Sequence, residues 1–262
     1  MTIHRFFIPA EWLEEDRVTI AGPLVHQIRH VLHLRPGEHI IVLDGSGWEW
    51  EVALAHVGRE KVWGQVVEKR LSSGEPRTQI TLYQSVLRSK RFELVLQKGT
   101  ELGVAEFVPV ISERCLVASL EDVARKQTRW QRIVREAAEQ AGRGKLPQVR
   151  PALLFGPACE QASRAGGVSL IFWEGEKKRS LRSFLHSIRC DAPSKVRRTL
   201  TESASHLFNL FIGPEGGFSA AEIAVARGYG LIPLGLGPRL LRAETAALVA
   251  AALVLYEQGE ME

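Results

Sequence analysis

Two glycine-rich stretches in the last fifth of the chain carry the residue types best suited to chemistry. They are Gly213-Pro-Glu-Gly-Gly217 and Gly235-Leu-Gly-Pro-Arg239, and each directly follows a short apolar run, Leu207–Ile212 and Leu231–Leu234. Arg242, Glu244 and Thr245 come next and open an alanine- and leucine-rich helix expected over Glu244–Gln258. Glycine permits positive φ and close approach of another molecule to the main chain. A carboxylate at a helix start suits the dipole, and Thr245 is placed to cap. GLGPRL has Leu240 where a GxGxxG fingerprint needs glycine, and no GK[ST] follows either loop, so phosphate binding is disfavoured. The loop backbones are better suited to reading a neutral heterocycle such as adenine. Without a ligand, the same residues read as tight strand-to-helix turns, with Ser219 and Glu222 spaced as a capping box and Arg242 and Glu244 as an ion pair.

Positioning such loops requires strands that end together. From Gln79 onward strands and helices alternate. Strands are expected at Ile80–Gln84, Phe107–Ile111, Val168–Trp173, Leu207–Ile212 and Leu231–Leu234. Helices are expected at Lys90–Leu102, Glu121–Gly142, Leu181–Ile188, Ala220–Arg227 and Glu244–Gln258. That rhythm predicts an α/β fold with a mostly parallel sheet covered on both faces, whose ligands sit beyond the carboxyl ends of the strands. The segment Leu185–Ser205 is polar and basic and reads as a surface excursion. Residues 1–70 instead give short strands (Arg5–Ile8, His39–Leu43, Trp48–Val57, Lys61–Val67) and one short helix within Gly22–Leu34, which predicts a small β-barrel. Leu71–Arg77 is polar with Gly and Pro and separates an N-terminal domain, 1–71, from a C-terminal one, 72–262.

The 262 residues carry a formal charge of +4, unevenly spread: residues 1–72 hold 8 Lys/Arg and 10 Asp/Glu, and the rest hold 26 and 20. Between 88 and 150 there are 13 basic residues against 8 acidic, with Trp130 among them. A solvated helix face accounts for such a run, and so does a nucleic-acid face. Gln97, Lys98 and Glu101 are spaced to lie together at a helix end, near the same pocket. His26, His30 and His33 lack acidic or thiolate companions at ligand spacing, so no metal site is expected. Three widely spaced cysteines, Cys115, Cys159 and Cys190, predict reduced, mostly buried thiols in a cytoplasmic protein. The N-terminus turns acidic before an apolar stretch develops, unlike a signal peptide. The longest apolar run, Ala246–Tyr256, is too short for a membrane span.

Four segments in order, LQKGTELGV, RW…EAAEQAGR, IGPEGGFS and LGPRLLRAETA, together with HQIRHVLHLRPGE near the N-terminus, resemble the bacterial RsmE family of SPOUT methyltransferases. The resemblance covers nearly the whole chain. It implies a PUA-like RNA-binding β-barrel, a C-terminal α/β domain with a deep trefoil knot, S-adenosylmethionine as donor, a homodimer, and methylation of N3 of a uridine in 16S ribosomal RNA, on the assembled small subunit. It places the donor at three strand ends: Phe172 and Glu174; Ile212, Gly213, Pro214, Glu215 and Gly217; and Leu234, Gly235, Leu236, Gly237, Arg239, Leu240, Leu241 and Thr245. Arg242 is implied to stabilise the developing uridine anion, and Glu244 to take the proton or to orient Arg242. RNA contacts are expected at Arg29, Arg35, Lys90, Arg91, Lys98, Arg114 and Arg143. Two positions depart from the pattern: the family often has Arg where this chain has His33, and usually Thr where it has Ala243. Another SPOUT activity, on a ribose 2′-hydroxyl or another base, and a non-catalytic RNA-binding assembly protein are the alternatives.

Overall fold

The structure, a computed structural model, describes residues 3–116, 119–190 and 206–261. Most of the expected excursion at Leu185–Ser205 lies outside the described residues. The chain divides into two compact units, Met1–Glu75 with Arg135–Leu146, and Pro76–Val134 with Pro147–Glu262.

The first unit is built on a five-stranded sheet: β1 (His4–Phe7), β2 (Arg17–Ala21), β3 (His39–Leu43), β4 (Trp48–Val57) and β5 (Lys61–Leu71), ordered β1-β3-β4-β5-β2. β1 and β3 run parallel and the remaining pairs antiparallel. Register shifts at Glu51/Val52 and Leu54/His56 bend the long β4–β5 pair, so the sheet curls. Alternating residues fill its core: Phe6 and Ile8, Val18 and Ile20, Ile40 and Val42, Val52 and Leu54. The helix expected within Gly22–Leu34 is one α turn, α1 (Pro23–His26), continued by a π turn over Gln27–Val31. β1 is an edge strand, and edges leave main-chain groups unpaired. Here Phe7 N–H donates to Glu139 at 2.9 Å and the Phe7 carbonyl accepts from Arg135 at 3.0 Å.

The second unit is a parallel seven-stranded sheet: β6 (Gln79–Ser85), β7 (Glu106–Ile111), β8 (Gln148–Val149), β9 (Leu153–Leu154), β10 (Val168–Phe172), β11 (Leu207–Ile212) and β12 (Ile232–Leu234). Its order is β12-β10-β11-β6-β7-β8, with β9 also paired to β7. One face packs on α5 (Phe155–Ala165) and α7 (Ala220–Gly228). Phe155, Ala158, Cys159, Ala162, Ile223 and Ala226 meet Tyr83, Val108, Ile171 and Phe211 there. Tyr83 and Phe211 stack at 4.3 Å between ring centres. α2 (Ser89–Leu102) and α8 (Ala243–Glu257) pack together, and α8 reaches β6 and β11. α6 spans Leu181–Cys190.

Sequence and structure differ in three places, the first being β2 (Arg17–Ala21), a strand not expected in the N-terminal segment. The long helix expected over Glu121–Gly142 is broken into α3 (Leu120–Ala124) and α4 (Gln127–Ala141). After the break Trp130 is fully buried, with its ring 4.3 Å from that of Phe92. Trp130 is therefore core, and the basic run has no aromatic on its surface at that position. The sequence reading also has no α5, β8 or β9. The two strands are two residues each, below the length at which alternation is visible. The apolar stripe of α5 consists of Phe155 and small residues behind Gly156-Pro157.

Candidate active site

β10, β11 and β12 lie side by side and end level, with Phe172 in register with both Ile212 and Leu234. Their carboxyl ends open onto a cavity of about 470 Å³, within the range of small-molecule sites. Of the residues expected at the donor site, Phe172, Glu174, Ile212, Gly213, Pro214, Glu215, Gly217, Gly235, Leu236, Gly237, Arg239, Leu240 and Leu241 line it. Leu234 is buried in the sheet behind the wall. Thr245 is exposed, is not in the wall and does not cap: the helix N-cap is Arg242, with no side-chain hydrogen bond. Arg91, Trp173, Glu176, Phe218, Pro238, Ala243 and Ala246 also line the cavity. Of these, Trp173 follows a strand end, and Glu176 is marked only by the main-chain amides that it holds.

The first loop is a turn in which Gly217 N–H donates to the Pro214 carbonyl at 2.9 Å. Gly217 adopts φ +66°, the left-handed region that favours glycine. The turn runs into α7 through a capping box: Glu222 N–H donates to the Ser219 hydroxyl, and Ser219 N–H to the Glu222 carboxylate. Glu222 also accepts from Glu113 N–H at 2.9 Å, which ties in the loop after β7. At the central strand, the Gln84 side-chain amide reaches the carbonyls of Ile212 and Gly213, where the turn begins.

The second loop is pinned by exchanged main-chain bonds, Gly235 N–H to Arg179 O and Leu181 N–H to Gly235 O. A Cβ on Gly235 would lie 2.5 Å from the Glu176 carbonyl oxygen, so only glycine fits. Glu176 accepts from Lys178 N–H and Arg179 N–H, and these bonds hold its carboxyl below the usual range. The N–H groups of Leu236, Leu240 and Leu241 have no partner among the described residues. They are available to a ligand at the cavity wall.

Arg242 is exposed at the cavity and makes no ion pair among the described residues. Glu244 is nine-tenths buried, does not pair with it and, unlike Arg242, does not line the cavity. Its Oε1 lies 3.7 Å from Arg91 Nε, and its Oε2 is buried with no hydrogen-bond partner. The expected Arg242–Glu244 ion pair is thus replaced by Arg91–Glu244.

The residues expected to meet RNA fall into several environments. Arg29 is half-buried, and Arg35 and Lys90 are exposed. Arg91 is in the cavity wall. Arg114 is exposed, and its Nη1 donates to the Gly216 carbonyl at 2.8 Å. Lys98 pairs with Glu101 at 2.7 Å on α2 and does not line the cavity. The KGTE segment there serves packing: a Cβ on Gly99 would lie 2.8 Å from the Phe107 ring, and Gly103 ends the helix at φ +111°. Arg143 is only 3% exposed, and its guanidinium donates twice to Glu75, so its charge is spent on an internal ion pair. Cys159 is buried, and burial pushes its thiol up to about 12, whereas Cys115 is partly exposed. Among the described residues no group of three or more His, Cys, Asp or Glu is arranged to hold a metal, and no helix is long and apolar enough to cross a membrane.

Residues 74–255 match the family model of the RNA methyltransferase domain. Ribosomal RNA small subunit methyltransferase E of Synechocystis is 32% identical over 96% of this chain and 77% of its own length. That of Bacillus subtilis is 30% identical over 97% of each. The crystal structure of ribosomal RNA small subunit methyltransferase E from Neisseria gonorrhoeae bound to S-adenosyl methionine superposes with a TM-score of 0.82 at 30% identity, covering 97% of this chain and 98% of that one. Full-length similarity, the matched domain and the glycine loops at level strand ends agree: the chain belongs to the ribosomal RNA small subunit methyltransferase E family.

Proposed function

We propose that the protein transfers a methyl group from S-adenosylmethionine to N3 of one uridine in 16S ribosomal RNA, on the assembled small subunit, in the cytoplasm. The observation that carries the donor assignment is the cavity at the ends of β10, β11 and β12, with free N–H groups at Leu236, Leu240 and Leu241. Those amides suit the edge of an adenine ring. The carboxylates of Glu174, Glu176 and Glu215 suit a cationic donor.

Bound there, S-adenosylmethionine supplies a sulfonium-activated methyl that a deprotonated nitrogen accepts, leaving a neutral thioether. The protein must position the base and manage one proton. Arg242, unpaired among the described residues and at the cavity, faces charge that develops on the uracil ring. Glu244, just behind the wall formed by Arg242 and Ala243, takes the N3 proton through a water or orients the groups that do. Phe172, Ile212, Leu236 and Leu241 exclude solvent.

The curled sheet of the first unit serves as a PUA-like RNA-binding barrel, the N-terminal domain of 1–71, with Arg29 and Arg35 as phosphate contacts. In the C-terminal domain, 72–262, Lys90 and Arg114 contact RNA, and β11 inserted between β10 and β6 with β12 outside β10 suits a trefoil knot. α8 is apolar on all sides, with Leu253 and Tyr256 exposed, which suits a homodimer. Calorimetry with S-adenosylmethionine, paired with transfer assays on Arg242→Ala, tests the site. The expected result is intact donor binding with turnover about 10²-fold lower. Wild-type turnover by the variant contradicts the catalytic assignment.

A further inference from the structure

Arg91 stands in the first turn of α2, which leaves the end of β6, the central strand of the parallel sheet. Its guanidinium reaches two carboxylates, Glu215 in the cavity wall and Glu244 buried behind the lining residues Arg242 and Ala243. Nη1 lies 3.5 Å from Glu215 in the first glycine loop, and Nε lies 3.7 Å from Glu244 at the start of α8. Arg88 N–H adds a contact to the same Glu215 oxygen at 3.4 Å. A single cation therefore serves two acidic groups that would otherwise repel each other beside Glu174 and Glu176. Glu244 meets Arg91 with one oxygen only, and its other oxygen is buried and free.

We propose that Arg91 is a positioning residue, not a phosphate contact: it ties the first glycine loop to the start of α8 and fixes Glu244 behind the cavity wall. The proposal rests on the methyl-transfer reading given above. A guanidinium is suited to the task, because its planar fork addresses two acceptors in fixed directions, whereas a lysine ammonium is a point charge on a flexible stem. Glu244 is already nine-tenths buried, so without Arg91 its charge would lack a counter-ion. Glu215 would lose one of the two contacts that fix the loop to α2.

The test combines Arg91→Met, Arg91→Lys, Glu244→Gln and the double variant Arg91→Met/Glu244→Gln. Single-turnover methyl transfer at saturating small subunit, RNA affinity against salt, and hydrogen exchange of the free protein are measured on each. The expected outcome is a rate loss of about tenfold to a hundredfold for Arg91→Met, with RNA affinity changed less than about twofold. Arg91→Lys restores only part of the rate, and the double variant is no slower than the slower single variant. Exchange at 213–217 and 243–246 quickens in Arg91→Met. A rate unchanged at saturation, with RNA affinity reduced and the salt slope lowered by about 1, makes Arg91 a phosphate contact and overturns the proposal. Multiplicative losses in the double variant overturn it too. Exchange needs no turnover: unchanged protection in both segments defeats the tie whatever the substrate. A wild-type protein that methylates no small subunit defeats the functional reading instead, and exchange still decides the tie.

Discussion

Arg114 and Gly216 come from different loops, yet the Arg114 guanidinium donates to the Gly216 carbonyl at 2.8 Å and its stem occupies the space a Cβ on Gly216 would need, 3.1 Å from that position. The loop after β7 thereby closes over the first glycine turn, which bears on the cavity through Gly213, Pro214, Glu215 and Gly217. Removing the side chain by Arg114→Ala frees that carbonyl to solvent, so overall stability changes little. Affinity for S-adenosylmethionine is expected to fall about threefold to tenfold, because the turn must then be ordered on binding. Calorimetry on the variant checks this, and a Kd equal to wild type counts against a clamp.

Gly235 is the position with least room at the cavity. A methyl group there meets the Glu176 carbonyl oxygen at 2.5 Å, and main chain on both sides is held by bonds to Arg179 and Leu181. Gly235→Ala is therefore expected to destabilise by about 1–3 kcal/mol and to abolish donor binding. Thermal unfolding with and without S-adenosylmethionine reads both effects. A variant that still gains stability from the donor contradicts the assignment of this loop.

Glu222 is buried and its carboxylate serves two main-chain groups: it accepts from Ser219 N–H in the capping box of α7 and from Glu113 N–H. Its replacement by Ala leaves two donors unpaired and is expected to cost about 1–3 kcal/mol in chemical denaturation. Ser219→Ala removes one bond only and should cost about 1 kcal/mol. Equal losses in the two variants refute the ranking.

In the first unit Glu49 is buried between Arg5 and Arg70, with Arg70 Nε 2.7 Å away. Burial pushes its carboxyl up, but hydrogen bonds and charge from the two arginines outweigh this and hold it below the usual carboxylate range. A depressed folded-state pKa stabilises above the unfolded value, and the contribution is lost as pH falls through the folded value. Glu49→Gln should therefore lower the melting temperature near neutral pH and flatten its decline in acid. A parallel acid decline in variant and wild type argues against this pair as the source.

Much of this was legible in the chain. The glycine loops, the strand–helix alternation and the Ser219–Glu222 capping box all have local signatures, and local rules place them correctly. The partner of Glu244 did not, because Arg91 is more than 150 residues away in sequence and meets it only through the sheet order. Arg143 and Trp130 misled for a related reason: a basic run is read as surface, and only tertiary structure reveals Glu75 beneath one and Phe92 beneath the other.

Mapping the transferred methyl group decides whether the site acts on N3 of a uridine. Small subunits from a strain lacking the modification are incubated with the protein and methyl-tritiated S-adenosylmethionine, and the 16S ribosomal RNA is digested to nucleosides. The expected result is label in 3-methyluridine alone, from a single oligonucleotide, and at least about 10²-fold less with Arg242→Ala. Label on a ribose or on another base, or no label with an active donor-binding protein, contradicts it.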